Sequence, residues 1–280
     1  MNKTLRNLLA AAMMAAGLAT AHESTVVPAS PARTALYSGD YAAAMKLYRA
    51  DAEKDPKDAA AKLMYARLKK AVRSQEDFKT EKNSAQKIKI GTSLRQFYYD
   101  FNDFERATAV DEELYKLDNS QANAMRLAES YLIINKDKEA GELLDTLADD
   151  PEQSQLGLMK TLSAVRGGKG EAAEKLLSEK SFKDFKKLKD LQLYAAIAAK
   201  SGELKTASEV MTYILANVPS KMHWQIETLV ETSPDFATAL QDASFKTAMQ
   251  TESKVKESGC SGNCASCPGK NSYQSEHCSK

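Results

Sequence analysis

Alanine recurs along this chain at a nearly constant interval. Ala107, Ala140, Ala173 and Ala207 follow one another at almost equal steps. Ala44 stands almost two such steps before the first of them, which leaves room for one degenerate copy. A period of about 34 residues is typical of helical repeat arrays, in which each unit buries its apolar face only against its neighbours.

Residues 121–151 show the repeating unit most clearly. Their sequence, QANAMRLAESYLIINKDKEAGELLDTLADDP, predicts two short helices joined by a polar turn. Glycine and proline are few, 12 and 7 among 280 residues, and the apolar residues follow helical rather than alternating spacing. The chain is therefore predicted to be all-α, an α-solenoid of helix-turn-helix repeats.

The first copy of the unit ends at Pro56. Gly39 separates its two helices, and Asp55 ends the second, because a residue that precedes proline is pushed out of the α region. One face of the second helix carries apolar and aromatic residues at helical spacing: Tyr41, Ala44, Met45 and Tyr48.

These positions resemble the tetratricopeptide repeat, a family whose unit has about 34 residues. The matching positions of the first copy are Gly39, Tyr41, Ala44, Tyr48 and Pro56. In the later copies they are Leu127, Ala128, Tyr131, Ala140 and Leu144 before Pro151, and then Tyr194, Ala195, Ala198, Gly202, Ala207, Met211 and Pro219. The resemblance covers residues 32–219 and implies a right-handed solenoid, but no single activity, because the family hosts many roles.

The resemblance also implies a binding surface on the concave wall that the first helices of the units form. The groove-facing positions fall near Met125, Glu129, Leu132 and Ile133, and then near Gln192 and Ala196. A short groove of this mixed character suits a peptide or a helix of a partner protein.

Two stretches depart from the regular pattern. Residues 59–72 predict a good first helix, but residues 73–89 lack the pattern of its partner and predict an irregular insert, a shortened second helix with a loop. Residues 220–250 predict helices that cap the open end of the array. Residues 251–258 predict a polar linker.

An aromatic stripe precedes the unit of Ala107. It consists of Leu94, Phe97, Tyr98 and Phe101. At this helical spacing the stripe predicts core rather than a ligand pocket.

Residues 1–21 predict a signal peptide. Lys3 and Arg6 precede an apolar stretch over residues 8–18, and Ala19-Thr20-Ala21 forms a small-x-small cleavage site that predicts a mature start at His22. Residues 22–31 predict a flexible N-terminus. The protein is therefore expected to be exported from a bacterial cell, to the periplasm or beyond, without a stable membrane span after cleavage.

Removal of the signal peptide leaves 37 basic and 38 acidic side chains, a net charge of −1. This balance argues against nucleic acid as a partner, which requires a basic face. Four lysines cluster at positions 183, 186, 187 and 189, but Asp184 lies among them, which predicts a solvated helix face rather than a docking patch.

All four cysteines lie close to the end of the chain, at Cys260, Cys264, Cys267 and Cys278, with His277 beside the last. In an oxidising compartment such a set predicts first two disulfides, for which three pairings exist. Bound zinc or an iron–sulfur cluster, with His277 as a further ligand, is an alternative. A redox-active Cys264–Cys267 pair is a third interpretation.

No catalytic constellation accompanies these features. The three histidines, His22, His223 and His277, have no nucleophile at motif spacing. The leading expectation is an exported, non-catalytic scaffold that binds a protein or peptide without a cofactor. The alternative is an envelope protein that binds metal or exchanges thiols through its cysteine tail.

Overall fold

A computed structural model of the chain describes residues 30–148 and 154–255. The predicted signal peptide, most of the predicted flexible N-terminus and all four cysteines lie outside these described residues. The helices are α1 (Pro31–Tyr37), α2 (Tyr41–Lys54), α3 (Ala59–Thr80), α4 (Ser84–Asp100), α5 (Phe104–Leu117), α6 (Gln121–Ile133), α7 (Asp137–Asp145), α8 (Ser154–Arg166), α9 (Glu171–Glu179), α10 (Leu188–Lys200), α11 (Leu204–Asn217), α12 (His223–Thr232) and α13 (Ala243–Ala248).

The described residues contain helices and no strand, which confirms the predicted all-α class. The chain divides between Lys169 and Gly170 into two compact units. In the first unit each helix from α1 to α7 packs against the next along the chain, so that the series ends with α7 on α8. In the second, α9 packs on α10 and α10 on α11, and α11 packs on α13. This packing of successive helices is the arrangement expected of a helical repeat solenoid.

The recurring alanines are the most deeply buried positions of the repeat. Ala44, Ala107, Ala140, Ala173 and Ala207 are all 0% exposed. Each lies in the first turn of its helix, at the fourth or third residue. Since alanine projects only a methyl group, neighbouring backbones approach closely at this position, and the predicted register of the second helices is confirmed.

A left-handed residue stands five positions before each of these alanines. The residues are Gly39, Asn102, Asn135, Gly168 and Gly202, with φ of +78°, +55°, +58°, +86° and +86°. The amide of the following residue donates to the carbonyl five positions back in every copy, as Asp40 does to Ala35 and Glu203 to Ala198. This is the Schellman turn, which ends a helix and satisfies its last carbonyls. One turn geometry therefore joins all five helix pairs.

The structure corrects the prediction of an irregular insert at residues 73–89. Residues 73–80 continue α3, residues 81–83 form a tight turn, and α4 begins at Ser84. A regular unit would turn near residues 69–72, where the sequence is Lys-Lys-Ala-Val. None of these is glycine or asparagine, and the left-handed conformation is costly for a branched side chain such as Val72. The helix therefore continues for 22 residues.

The long helix α3 packs against two other helices, α2 along one part of its length and α4 further along. Leu68 and Ala71 belong to a buried cluster that includes Tyr41 and Ala44 of α2. Further along α3, Phe78 packs against Gly91 of α4, where an added Cβ would lie 2.6 Å from the Phe78 ring. In the predicted aromatic stripe of α4, Leu94, Phe97 and Tyr98 are buried and Phe101 is half-buried, which confirms it as core.

Residues 220–250 form α12, α13 and three short 3₁₀ segments, Ser220–Met222, Pro234–Phe236 and Ala239–Gln241. The fully buried rings of Phe236 and Phe245 contact each other with centroids 5.8 Å apart. The start of the predicted linker is anchored. The Lys254 amide donates to the Ala216 carbonyl at 2.9 Å, and the Ser253 hydroxyl donates to the Val218 carbonyl at 2.6 Å.

Candidate functional site

The solvent-facing stripe of α6 contains three of the six residues predicted to line a groove. Met125, Glu129 and Ile133 follow one another at intervals of four positions, and each is half-buried. Residues at this interval lie one above the other on a helix face. The structure therefore brings these three side chains together on one accessible but partly enclosed surface, named here the α6 stripe.

Leu132 is not available on this surface, because only 4% of it is exposed. Leu132 follows Ala124 and Ala128 at intervals of four positions and therefore lies on the buried face of α6. At this end of α6 the Arg166 guanidinium of α8 donates to the Leu132 carbonyl at 2.7 Å. The same Nη1 atom lies 2.9 Å from the Asp137 carboxylate at the start of α7. Packing of α7 and α8 thus covers the end of α6 where Leu132 lies.

The other two predicted groove residues belong to α10 in the second unit. Gln192 is half-buried, but Ala196 is only 7% exposed. Ala196 lies within a run of six buried residues at positions 194–199. Besides its neighbour α11, α10 contacts the 3₁₀ segment Pro234–Phe236, a layer that a regular repeat does not contain.

Beneath the α6 stripe, buried polar side chains join α4, α5 and α6. The Asp111 carboxylate of α5 accepts from Arg95 Nε of α4 at 2.7 Å and from the Ser130 hydroxyl of α6 at 2.6 Å. The Tyr99 hydroxyl lies 2.8 Å from Ser130 Oγ. The Arg95 guanidinium also lies over the Tyr99 ring, 4.3 Å from its centroid. These four side chains are named the Asp111 network.

Burial controls the electrostatics of the Asp111 network. Removal from water raises the pKa of Asp111 above its usual range, against the opposing hydrogen bonds from Arg95 and Ser130. Burial likewise raises the pKa of Tyr99. Ser130 is only 1% exposed and donates to a carboxylate that Arg95 also binds, so the geometry is that of a buried polar network that joins the three helices.

The sequence contains a signal for this network that lies outside the repeat pattern. Asp111 follows Ala107 by four positions and therefore shares its buried face. A charged residue at such a position is buried only when it is paired. This spacing predicts a buried partner, although it does not identify Arg95 or Ser130.

His223 is the histidine within the described part of the chain. It is half-buried, and its Nε2 lies 2.9 Å from the Leu215 carbonyl oxygen. Among the described residues no group of three or more histidine, cysteine, aspartate or glutamate side chains is arranged to hold a metal ion. The candidate ligands Cys260, Cys264, Cys267, His277 and Cys278 lie outside those residues.

Within residues 30–148 and 154–255, no helix combines the length and the hydrophobicity that crossing a bilayer requires. No family model and no curated protein matches this chain.

Proposed function

We propose that this protein is an exported, non-catalytic scaffold that holds a protein or peptide partner on the α6 stripe. The observation that carries this proposal is the half-buried state of Met125, Glu129 and Ile133 on one continuous helix face. Recognition of a peptide or helix by such a face follows from apolar anchors at helical spacing with polar side chains between them.

The chemistry of the stripe indicates the kind of partner. Met125 and Ile133 are two helical turns apart, which is about 12 Å along the axis. Glu129 lies between these two apolar ends. The thioether of methionine adapts to irregular apolar partners. A partner segment with two apolar residues about 12 Å apart complements this surface.

The Asp111 network supports a recognition role because it holds the stripe in place. Ser130 lies on α6 between Glu129 and Ile133 in sequence, and its hydroxyl ties α6 to α5 through Asp111. A preorganised surface loses less conformational entropy when it binds. We further infer that the array is of the tetratricopeptide kind, which is supported by five buried alanines and five turns of one geometry at the period of that family.

Site-specific photo-crosslinking tests the proposal. The photoreactive residue p-benzoylphenylalanine replaces Met125 in the full chain in its native cells. The matched control places it at Glu142 on α7, whose side chain is 67% exposed and outside the stripe. We expect a defined partner band from position 125 and none from position 142.

A variant then tests whether the same surface provides the binding energy. Met125→Ser, Glu129→Lys and Ile133→Ser are combined, whereas Leu132 is left unchanged because it is buried. We expect copurification of the crosslinked partner to be lost, with the helical circular dichroism unchanged. Copurification equal to that of the original protein would show that the partner binds elsewhere.

The alternative function, metal binding or thiol exchange by the tail, is supported by the clustering of Cys260, Cys264, Cys267 and Cys278 in the sequence. The chemistry of the cysteine tail can be tested independently of binding at the α6 stripe. The state of the cysteine thiols distinguishes the two functions.

A further inference from the structure

Charge is distributed very unevenly along this chain. Residues 59–100, which comprise α3 and α4 with the turn between them, contain ten basic and four acidic side chains, a net charge of +6. The remainder contains 29 basic and 34 acidic side chains, a net charge of −5. A near-neutral total thus conceals one basic helical hairpin in an otherwise acidic protein.

Four exposed cations of α3 lie on one side of the helix. Lys62, Lys69, Lys70 and Arg73 are all exposed, and at 100° per residue they fall within a sector of about 100°. No acidic residue occurs between positions 59 and 75. These four side chains are named the α3 basic face.

The neighbouring ion pairs leave this face positive. Arg67, on the flank of α3, is paired with Asp100 of α4 at 2.5 Å and is not counted in the face. Arg73 lies 3.6 Å from Asp77, but the two side chains are 84% and 50% exposed, so solvent screens the pair. Glu76 is 3.4 Å from Lys79 in the last turns of the helix.

The unbroken course of α3 creates the α3 basic face. A Schellman turn near residues 69–72 would place Lys62 and Arg73 on two different helices. Because the helix continues instead, the four cations span about three helical turns, or about 16 Å along a straight axis. The uninterrupted helix α3, which departs from the repeat pattern, therefore also aligns the four cations.

We propose that the α3 basic face binds the surface of an anionic lipid bilayer, as a site separate from the α6 stripe. Each lysine or arginine close to such a surface strengthens binding about fivefold, and several in one plane act together. Leu63, which is 38% exposed, adjoins Lys62 and supplies an apolar contact at the edge of the face. The complementarity is that of a flat cationic ridge with a flat anionic surface.

The surrounding side chains favour lipid over single-stranded nucleic acid as the polyanion. A platform for single strands needs exposed aromatic rings on which bases stack. Phe78, Phe97 and Tyr98 are buried in the core, where their rings cannot be reached. Tyr65 of α3 and Tyr99 of α4 are half-buried, and the Arg95 guanidinium already lies over the Tyr99 ring, so α3 and α4 do not present a row of exposed rings.

Vesicle sedimentation tests the proposal. The full chain is centrifuged with vesicles of phosphatidylcholine that contain a minority of phosphatidylglycerol, and in parallel with vesicles of phosphatidylcholine alone. We expect sedimentation with the anionic vesicles only, at low salt, and its loss at high salt, because exposed charges are screened.

Two charge variants identify the face. The first combines Lys62→Gln, Lys69→Gln, Lys70→Gln and Arg73→Gln. The second combines Lys183→Gln, Lys186→Gln, Lys187→Gln and Lys189→Gln, which removes the same charge from exposed positions of the second unit. We expect the first to lose vesicle binding more than a hundredfold, and the second to bind as the original protein does.

A charge-conserving variant, with Lys62→Arg, Lys69→Arg, Lys70→Arg and Arg73→Lys, is expected to retain binding. Equal loss in both glutamine variants would attribute binding to net charge rather than to this face and would overturn the proposal. Absence of any anionic-lipid dependence would overturn it as well, as would binding to an oligonucleotide without binding to vesicles.

Discussion

Tyr41 and Asp103 stand far apart in the sequence, and the Tyr41 hydroxyl donates a 2.8 Å hydrogen bond to the Asp103 carboxylate. Arg106 completes the contact, with its Nη1 at 2.7 Å from the Gly39 carbonyl and 2.9 Å from Asp103 Oδ2. The start of α2 is thereby joined to the start of α5, although α3 and α4 lie between them in sequence. This contact therefore joins the helices on either side of α3 and α4, the stretch in which the array departs from the regular repeat.

Tyr41→Phe tests the strength of this contact. The variant keeps the ring packing against Phe97 and Tyr98 and removes only the hydroxyl. Asp103 keeps its pair with Arg106, so we expect a loss of about 1 kcal/mol in the free energy of unfolding, measured by urea denaturation. Tyr115→Phe on α5 is the control, since the Tyr115 hydroxyl makes no hydrogen bond to the described residues. Equal losses in the two variants would show that the Tyr41 bond contributes nothing.

The turn after α8 provides a test of backbone conformation without a steric effect. Gly168 has φ of +86° and Gly157 lies within α8, and a Cβ added at either position meets no atom within 4 Å. Gly168→Ala should therefore destabilise by about 1 kcal/mol, because alanine resists positive φ. Gly157→Ala should stabilise by about 0.5–1 kcal/mol, because alanine favours a helix interior. Thermal unfolding measures both, and shifts of the same sign would contradict the assignment of the turn.

The contribution of Asp111 to the free energy of unfolding should decrease as the pH rises, which is the opposite of the usual effect of a paired carboxylate. Its raised pKa means that the folded protein holds this proton to a higher pH than the unfolded chain does. As the pH rises from the ordinary value of 3.8 through the raised pKa, the unfolded chain loses the proton first, and the contribution of Asp111 to stability falls. Above the raised pKa that contribution becomes constant.

Comparison with Asp111→Asn isolates this contribution. Urea denaturation of both proteins between about pH 3 and 7 gives the difference in their unfolding free energies. We expect the advantage of the original protein over the variant to shrink as the pH rises across this interval. An advantage that grows instead would mean that attraction from Arg95 and Arg126 outweighs the cost of burial.

The state of the cysteines distinguishes the scaffold from a metal or thiol protein. All four cysteines of the chain lie in the tail, so thiol counting on the whole protein reports on the tail without background. We expect protein purified from its native compartment to contain two disulfides, no reactive thiol and no metal. Stoichiometric zinc or iron in elemental analysis would instead support the alternative, as would disulfides that a mild reductant opens in the folded protein.

Several features of the fold were predictable from local sequence. The buried register of the second helices follows from alanines at a fixed interval, and Gly39, Gly168 and Gly202 mark three of the five turns. Asn102 and Asn135 occupy the same turn position, which asparagine tolerates more readily than other side chains do. The α3–α4 charge excess was equally visible in the sequence, but only when charge is counted by segment rather than over the whole chain.

Accessibility divides the six residues that were predicted to line a groove. Met125, Glu129 and Ile133 lie on one accessible stripe of α6, and binding of a partner there stays a prediction. Leu132 is instead buried on the face of α6 that also contains Ala124 and Ala128, and Ala196 is buried on α10, a helix that also contacts the segment Pro234–Phe236. A repeat pattern describes the contacts of a regular unit and contains no information about such additional layers.

The sequence by itself therefore determined the helical class, the buried register of the second helices and the chemistry of the repeating turn, because these depend on residues within a few helical turns of each other. Only the tertiary structure decided which faces remain accessible and how Arg95, Asp111 and Ser130 combine. Helical periodicity sets the direction in which a side chain faces, whereas burial depends on whether a distant part of the chain occupies the space in front of it.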